Sequence, residues 1–163
     1  MAIYVDVSSA VHTKAGLGRY AAELSRHLYP LLVERMRLFQ NDLGRKGPLA
    51  DWPGEPAVGV RWGYRPWRGL VWASQLLGTK MDNLLPEGEL FHATEHLLPR
   101  LKMPTVLTVH DLIFERFPEH HKPLNYQYLT RAMPLYVRRA DHVITISEAT
   151  RRDLVEIYDT DPK

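Results

Sequence analysis

The sequence predicts an α/β fold with an open, mostly parallel β-sheet that is covered by helices on both faces. Two observations carry this prediction. Short runs of β-branched and apolar residues alternate along the chain with longer segments whose apolar residues recur at helical spacing. In addition, the run over residues 104–109 is uncharged and does not alternate, which is typical of parallel strands buried on both faces.

The first half of the chain is predicted to hold three strands and two helices. Residues 3–7 are rich in β-branched side chains and predict a strand, which is followed by a loop that begins at Ser8. An apolar stripe predicts a helix from Leu17, and Pro30 is expected to end or kink it near Tyr29. The remaining predictions are strands over 36–39 and 58–62, a loop over 41–56 and a helix over 67–85.

The second half continues the alternation. Strands are predicted over 89–92, 104–109 and 142–146. A helical stripe runs from Tyr126 to Val137, and Pro134 is expected to kink it. Ser147 is predicted to cap a last helix that reaches about Tyr158.

The composition of the 163 residues suits one folded domain and excludes several classes of protein. The 45% apolar content argues against disorder, and the absence of cysteine excludes disulfides and thiolate metal sites. The net charge of +2 is too balanced for bulk nucleic-acid binding, so we expect no nucleic-acid partner. No signal peptide or long apolar run is evident, which leads us to expect a cytoplasmic location.

Ligands of open parallel sheets bind outside the carboxyl ends of the strands, so polar residues that follow strands are candidates for function. The sequence places there Asp6, His92, Thr94, His96, His110, Asp111 and Ser147.

Two short motifs match enzyme patterns but lack part of the expected context. Residues 16–21 fit the dinucleotide pattern G-x-G-x-x-A, yet several residues separate them from the first strand, and only Asp42 could contact a ribose. A nicotinamide or flavin site therefore remains an alternative. Residues 92–96 spell the zinc-peptidase pattern H-x-x-E-H, but a strand precedes them and Pro99 follows soon after. We predict no metal site.

Several segments follow one another in a recognisable order. Residues 16–20 read GLGRY and precede Glu23 and Leu24; Phe91 and His92 precede a Leu-Pro pair at 98–99; a strand ends in His110-Asp111; and residues 140–148 read ADHVITISE. Together they resemble the N-terminal domain of GT-B glycosyltransferases, and the chain is most similar to the retaining enzymes of family 4. The resemblance covers nearly the whole chain.

The resemblance implies a Rossmann-like domain over 1–163 that forms the acceptor side of a cleft, with its C-terminal donor-binding domain outside the chain. It implies transfer of a sugar, with retention, from a nucleotide diphosphate sugar of the GDP-mannose or UDP-glucose type to a glycan or glycolipid acceptor. A mannosyltransferase-like enzyme without cofactor or metal is expected, inactive as this domain alone. The alternative is a non-catalytic module that binds a sugar or nucleotide.

The same resemblance implies roles for individual residues. His110 would contact the transferred sugar as a catalytic, positioning and electrostatic group, although a buried structural histidine is the competing interpretation. Gly16 and Gly18 would let the backbone approach the donor phosphates at a helix start. The implied sugar and acceptor contacts are Arg19, Tyr20, His92, Thr94 and Asp111. For Tyr20 a place in the core, and for Asp111 a helix cap, remain open.

Residues 61–72, from Arg61 to Trp72, contain three of the four tryptophans and three arginines. This mixture suits peripheral contact with the inner face of a membrane. It suits equally a helix that packs on the sheet and leaves its basic ends in water.

Overall fold

The structure is a computed structural model that describes residues 1–12, 15–42, 49, 52–54 and 57–161. Its strands are β1 Ala2–Asp6, β2 Met36–Asn41, β3 Val58–Val60, β4 Gly88–Ala93, β5 Thr105–Val109 and β6 His142–Thr145. Its α-helices are α1 Ser8–Val11, α2 Ala15–Leu32, α3 Tyr64–Leu77, α4 Ile113–Arg116, α5 Pro123–Arg139 and α6 Glu148–Tyr158. Short 3₁₀ turns lie at Val33–Arg35, Asp82–Leu84 and Pro118–His120.

The six described strands form one parallel sheet in the order β3-β2-β1-β4-β5-β6. Val5 of β1 pairs with Leu38 on one side and with His92 on the other. The direction of winding reverses between β1 and β4, so the switch point, where ligands of such sheets bind, lies at the carboxyl ends of these two strands. The predicted open parallel α/β fold is confirmed.

Helices cover both faces of the central strands, whereas the edge strand β6 is largely exposed. On one face the Phe39 ring lies between Trp67 of α3 and Phe91 of β4, at centroid distances of 5.8 and 5.7 Å. On the other face Val5 and Leu38 pack beneath α1 and α2. Each such large apolar side chain contributes about 1.5–3 kcal/mol when fully buried, so the central strands hold the sheet in place.

Several element boundaries differ from the prediction. The expected loop after β1 contains α1, which begins at Ser8. Pro30 lies inside α2, which ends only two residues later, and Pro134 lies inside α5. Helix α3 ends at Leu77 rather than near 85, because Gly78 adopts a left-handed conformation with φ of 69° and terminates it. The predicted loop over 41–56 falls largely outside the described residues. No described helix combines the length and apolarity needed to cross a lipid bilayer.

Candidate functional site

The switch point is organised by Asp6, the last residue of β1. Its Oδ1 accepts hydrogen bonds from the Ser8 backbone N–H at 2.8 Å and from Ser8 Oγ at 2.5 Å. Ser8 Oγ in turn accepts from the backbone N–H of Asn41 at 2.9 Å, and Thr94 Oγ1 donates to the Asp6 carbonyl at 2.6 Å. Asp6 therefore ties together the ends of β1, β2 and β4 and orients α1.

Tyr64 and Glu95 add a second polar pair at the same edge. Burial raises the pKa of the Tyr64 phenol well above its usual range, and the adjacent Glu95 carboxylate, which is hydrogen-bonded to it, raises this pKa further. The His12 ring lies edge-on to Tyr64 at a centroid distance of 5.6 Å. In the sequence, Glu95 stands out only as part of the H-x-x-E-H pattern. Its position two residues beyond β4 is the signal that could have singled it out.

A shallow pocket of about 650 Å³ opens at the carboxyl ends of β5 and β6, next to the first turn of α2. Its lining is Gly16, Leu17, Tyr20, His110, Ile144, Thr145 and Ile146. Three residues predicted from sequence to serve the site, Gly16, Tyr20 and His110, thus meet in one place.

His110 is fixed in this pocket by hydrogen bonds from both its side chain and its backbone. Its Nε2 lies 2.8 Å from the Thr94 carbonyl, which can only accept, so Nε2 carries a proton and donates it. The His110 backbone N–H donates to His96 Nε2 at 3.2 Å, and Thr150 Oγ1 donates to the His110 carbonyl at 2.9 Å. In the neutral ring the lone pair is therefore on Nδ1.

Tyr20 forms the wall of the pocket against His110. The two rings meet edge to face, with centroids 4.9 Å apart and an interplanar angle of 90°. The Tyr20 hydroxyl lies 3.2 Å from Thr108 Oγ1, which lies 2.9 Å from His92 Nε2. A chain of polar groups thus runs from His92 in the sheet interior to the Tyr20 ring, which packs against His110.

His92 occupies a different position from the one expected for an acceptor contact. It is buried within the sheet and reaches the pocket only through Thr108 and Tyr20. Burial lowers the pKa of its imidazole to about 4, so the ring is neutral in ordinary buffers.

This burial predicts a pH dependence of stability. The unfolded chain binds a proton on His92 near pH 6.5, whereas the folded chain does so only near pH 4. Stability is therefore full above pH 6.5, falls as the pH is lowered through the window from 6.5 to 4, and loses nothing further below it. We expect His92 to account for about 2 kcal/mol of the loss between pH 7.5 and 4.5.

Urea unfolding of the parent and of His92→Gln across that pH range checks the prediction. The slope between pH 6.5 and 4.5 should be shallower in the variant. His142→Gln, at an exposed histidine of β6, serves as the matched control. Identical pH profiles for His92→Gln and the parent would contradict the assignment.

The two glycines of the GLGRY segment have different surroundings. Gly16 is exposed in the first turn of α2, and a Cβ built on it would meet nothing within 4 Å. A Cβ on Gly18 would lie 2.8 Å from the backbone oxygen of Ser9 and 3.2 Å from Ala10 Cα. The absent side chain of Gly18 thus allows α1 and α2 to pack closely, while only Gly16 lines the pocket.

The remaining predicted contact residues lie outside the lining of the pocket. The Arg19 side chain is exposed and lies outside the described lining of the pocket. Thr94 is fully buried, and its hydroxyl is engaged by Asp6. Asp111 Oδ1 accepts from the Ile113 backbone N–H at 3.2 Å, but the residue at the N-cap position of α4 is Leu112, so Asp111 lies one residue before the cap.

The H-x-x-E-H segment is not arranged as a zinc site. His92 belongs to β4 and bonds to Thr108, whereas His96 accepts from the backbone of His110. Within the described ranges, no group of three or more potential metal-ligating side chains comes together.

Residues 61–72 pack partly on the sheet and partly on α5. Trp67 is buried against Phe39, and the Arg68 guanidinium lies over the Tyr128 ring at 3.8 Å and donates to Asn125 Oδ1 at 3.0 Å. The exposed side chains of this segment include Arg61, Trp62 and Arg65.

An open parallel sheet of this strand order, with a polar cluster at its switch point and a pocket nearby, defines a doubly wound α/β domain, a class whose ligands bind at the carboxyl edge. Within this class the chain belongs to glycosyltransferase family 4, because the model of the family described as Glycosyltransferase Family 4 matches residues 15–163. The fold is consistent with the N-terminal half of a GT-B enzyme. Searches of curated proteins and of solved structures gave no significant match.

Proposed function

We propose that this chain is the acceptor-side domain of a retaining glycosyltransferase that transfers a sugar from a nucleotide diphosphate sugar to a glycan or glycolipid. The observation that carries the proposal is the convergence of His110, Tyr20 and the start of α2 on one pocket. A helix N-terminus presents unpaired N–H groups and attracts phosphate. An imidazole that is held beside such a helix N-terminus can position a sugar.

The geometry supports separate roles for Gly16 and His110. Gly16 leaves room for a diphosphate to approach the first N–H groups of α2. His110 Nε2 is occupied by the Thr94 carbonyl, so its Nδ1 is the ring atom left to accept a hydrogen bond from a sugar hydroxyl. In the reaction the leaving diphosphate takes the acceptor proton, and His110 positions and stabilises the transferred sugar. No step needs a metal ion or a resident cofactor.

The donor is proposed to be of the GDP-mannose or UDP-glucose type, held mainly by a second, C-terminal domain. Arg19 and Asp111 remain the proposed contacts on the acceptor side. The apolar lining of the pocket by Leu17, Ile144 and Ile146 suits an acceptor with an apolar portion, such as a glycolipid. Arg61 and Trp62 remain available for contact with the cytoplasmic face of a membrane.

Gly16→Val is expected to weaken nucleotide diphosphate binding by at least about tenfold in the two-domain enzyme. The valine would hold the diphosphate away from the α2 N–H groups, and one lost charge-assisted hydrogen bond is worth about that much. Calorimetric titration measures the effect. Gly69→Val is the matched control, since Gly69 is also an exposed helical glycine with open space around its Cβ position. If the two variants bind the nucleotide diphosphate with equal affinity, Gly16 does not serve donor binding and instead serves acceptor binding or the fold.

Transfer assays test the function itself. The 163-residue chain and the two-domain protein are each incubated with a panel of nucleotide sugars and with lipid-linked and glycan acceptors. We expect turnover only in the two-domain protein. Turnover by the isolated chain would refute the placement of the donor site, and binding without transfer by the two-domain protein would favour the non-catalytic module. Saturable nicotinamide dinucleotide binding would favour the oxidoreductase alternative.

A further inference from the structure

We propose that a cleft at the amino-terminal edge of the sheet binds an anion of the phosphate class, independently of the proposed function. The cleft has a volume of about 410 Å³ and lies at the starts of β5 and β6, whereas the pocket at His110 lies at their ends. Four cationic side chains line it: Lys80, Arg100, Lys102 and Arg139. Below, it is called the basic cleft.

The walls of the basic cleft are held by buried hydrogen bonds. Arg139 Nη1 donates to the backbone carbonyl of Gln75 and, at 3.1 Å, to Gln75 Oε1. Gln75 Nε2 in turn donates to the Leu98 carbonyl at 2.8 Å. The guanidinium is therefore fixed through one nitrogen, while its Nε and Nη2 have no hydrogen bond to a described residue.

Arg100 provides the observation that points to a ligand. Its backbone is fixed, because its N–H donates to Ser74 Oγ at 3.2 Å and its carbonyl accepts from Met81 at 2.8 Å. Its side-chain Nε is buried and has no hydrogen-bond partner among the described residues. Such an unmatched donor is unfavourable, and a rotation of the Arg100 side chain toward the cleft would let an acceptor bound there relieve that cost.

The charges in and around the cleft are strongly unequal. None of the four cations forms an ion pair with a described residue. The one lining carboxylate, Asp141, accepts through Oδ2 from the Thr105 N–H and hydroxyl at 2.8 and 3.0 Å. The nearby Asp82 accepts through Oδ1 from the Lys102 N–H at 2.8 Å. Four cationic residues thus stand against two carboxylates, whose oxygens Asp141 Oδ2 and Asp82 Oδ1 already accept hydrogen bonds from the chain's own donors.

Phosphate is the anion that this combination fits best. The planar guanidinium fork matches two phosphate oxygens, and lysine adds a mobile point charge. A pocket of this size admits a phosphorylated small molecule or the headgroup of an anionic lipid, which share the same chemistry.

Two-dimensional NMR of the full 163-residue chain tests the proposal, with inorganic phosphate added at constant ionic strength. We expect saturable shifts of the Lys80, Arg100 and Lys102 amides, while the Gly16 amide reports separately on the His110 pocket. The variant Lys80→Gln with Lys102→Gln should weaken phosphate binding at least about tenfold.

The control variant is Lys122→Gln with Arg131→Gln, which removes two exposed positive charges elsewhere and should bind phosphate as the parent does. Arg100→Lys keeps the charge but removes the fork, so it should also bind more weakly, and it provides a second test if the double variant is unstable. Cosedimentation with phosphatidylglycerol vesicles, compared with phosphatidylcholine vesicles, distinguishes the source of the phosphate.

Vesicle binding that is lost only in the basic-cleft variant would identify a lipid headgroup, and saturable phosphate shifts without vesicle binding would identify a soluble ligand. Equal losses in the cleft variant and the control would reduce the effect to general electrostatics and overturn the proposal. So would the absence of both cleft shifts and vesicle binding.

Discussion

His110→Ala is expected to lower the rate of sugar transfer by about a hundredfold or more in the two-domain enzyme. The reason is geometric. The imidazole is held between the Thr94 carbonyl and the Tyr20 ring, so its free nitrogen has one defined position in the pocket. Alanine removes that nitrogen and leaves no neighbouring group to replace it. Steady-state kinetics with saturating donor would show the change mainly in kcat.

The fold should survive this substitution. Two of the three hydrogen bonds at His110 involve its backbone N–H and carbonyl and persist in alanine. Loss of the bond to Thr94 and of the ring contact should cost about 1–3 kcal/mol. His142→Ala on β6 is the control, and circular dichroism with thermal melting separates folding from catalysis. Retention of full turnover by a folded His110→Ala would end the case for its role in transfer.

The sheet was predictable because its signal is local and repeated. Each strand contains apolar or β-branched residues in a short segment, and a strand such as β5, which is buried on both faces, needs no partner to be recognised in the sequence. The capping role of Ser147 was also predictable, because serine is a preferred residue at a helix start. In the structure its side chain accepts a hydrogen bond from the Thr150 N–H in the first turn of α6. Because β5 was recognised in the sequence, the positions of His110 and Asp111 directly after its carboxyl end were predicted as well.

The sequence predicted the directions of individual side chains less well, because contacts between distant segments decide them. His92 and Thr94 follow the rule for candidate residues at a strand end, yet both turn inward to Thr108 and Asp6. Only the pairing of β4 with its neighbours determines that direction. The short helix α1 was missed because four residues carry no periodic signal.

The basic cleft could not be predicted from the sequence at all. Its cations come from the segment after α3, from the segment before β5 and from the end of α5. No spacing in the sequence brings Lys80, Arg100 and Arg139 together. The packing of α3 and α5 against the same face of the sheet does so, through the bond between Arg139 and Gln75.

Gly18→Val is expected to destabilise the domain by about 3 kcal/mol or more, in contrast to the same change at Gly16. A Cβ at position 18 would lie 2.8 Å from the backbone oxygen of Ser9, and the backbone of α1 cannot rotate away as a side chain would. Helix α1 is also held by Ser9 Oγ, which donates to the Leu17 carbonyl at 3.2 Å, and by the hydrogen bonds of Asp6 to Ser8. Separating the helices would therefore disturb the switch point.

Alanine substitutions provide the sharper test, because the expected change differs in sign between positions. Alanine is a better helix former than glycine by up to about 1 kcal/mol, so Gly69→Ala should raise the free energy of unfolding. Gly18→Ala should lower it, since even one Cβ overlaps Ser9. Urea unfolding of both variants, with Gly16→Ala as a third, measures the difference. A stabilised Gly18→Ala would show that α1 can move aside, and Gly18 would then again be a candidate for ligand contact.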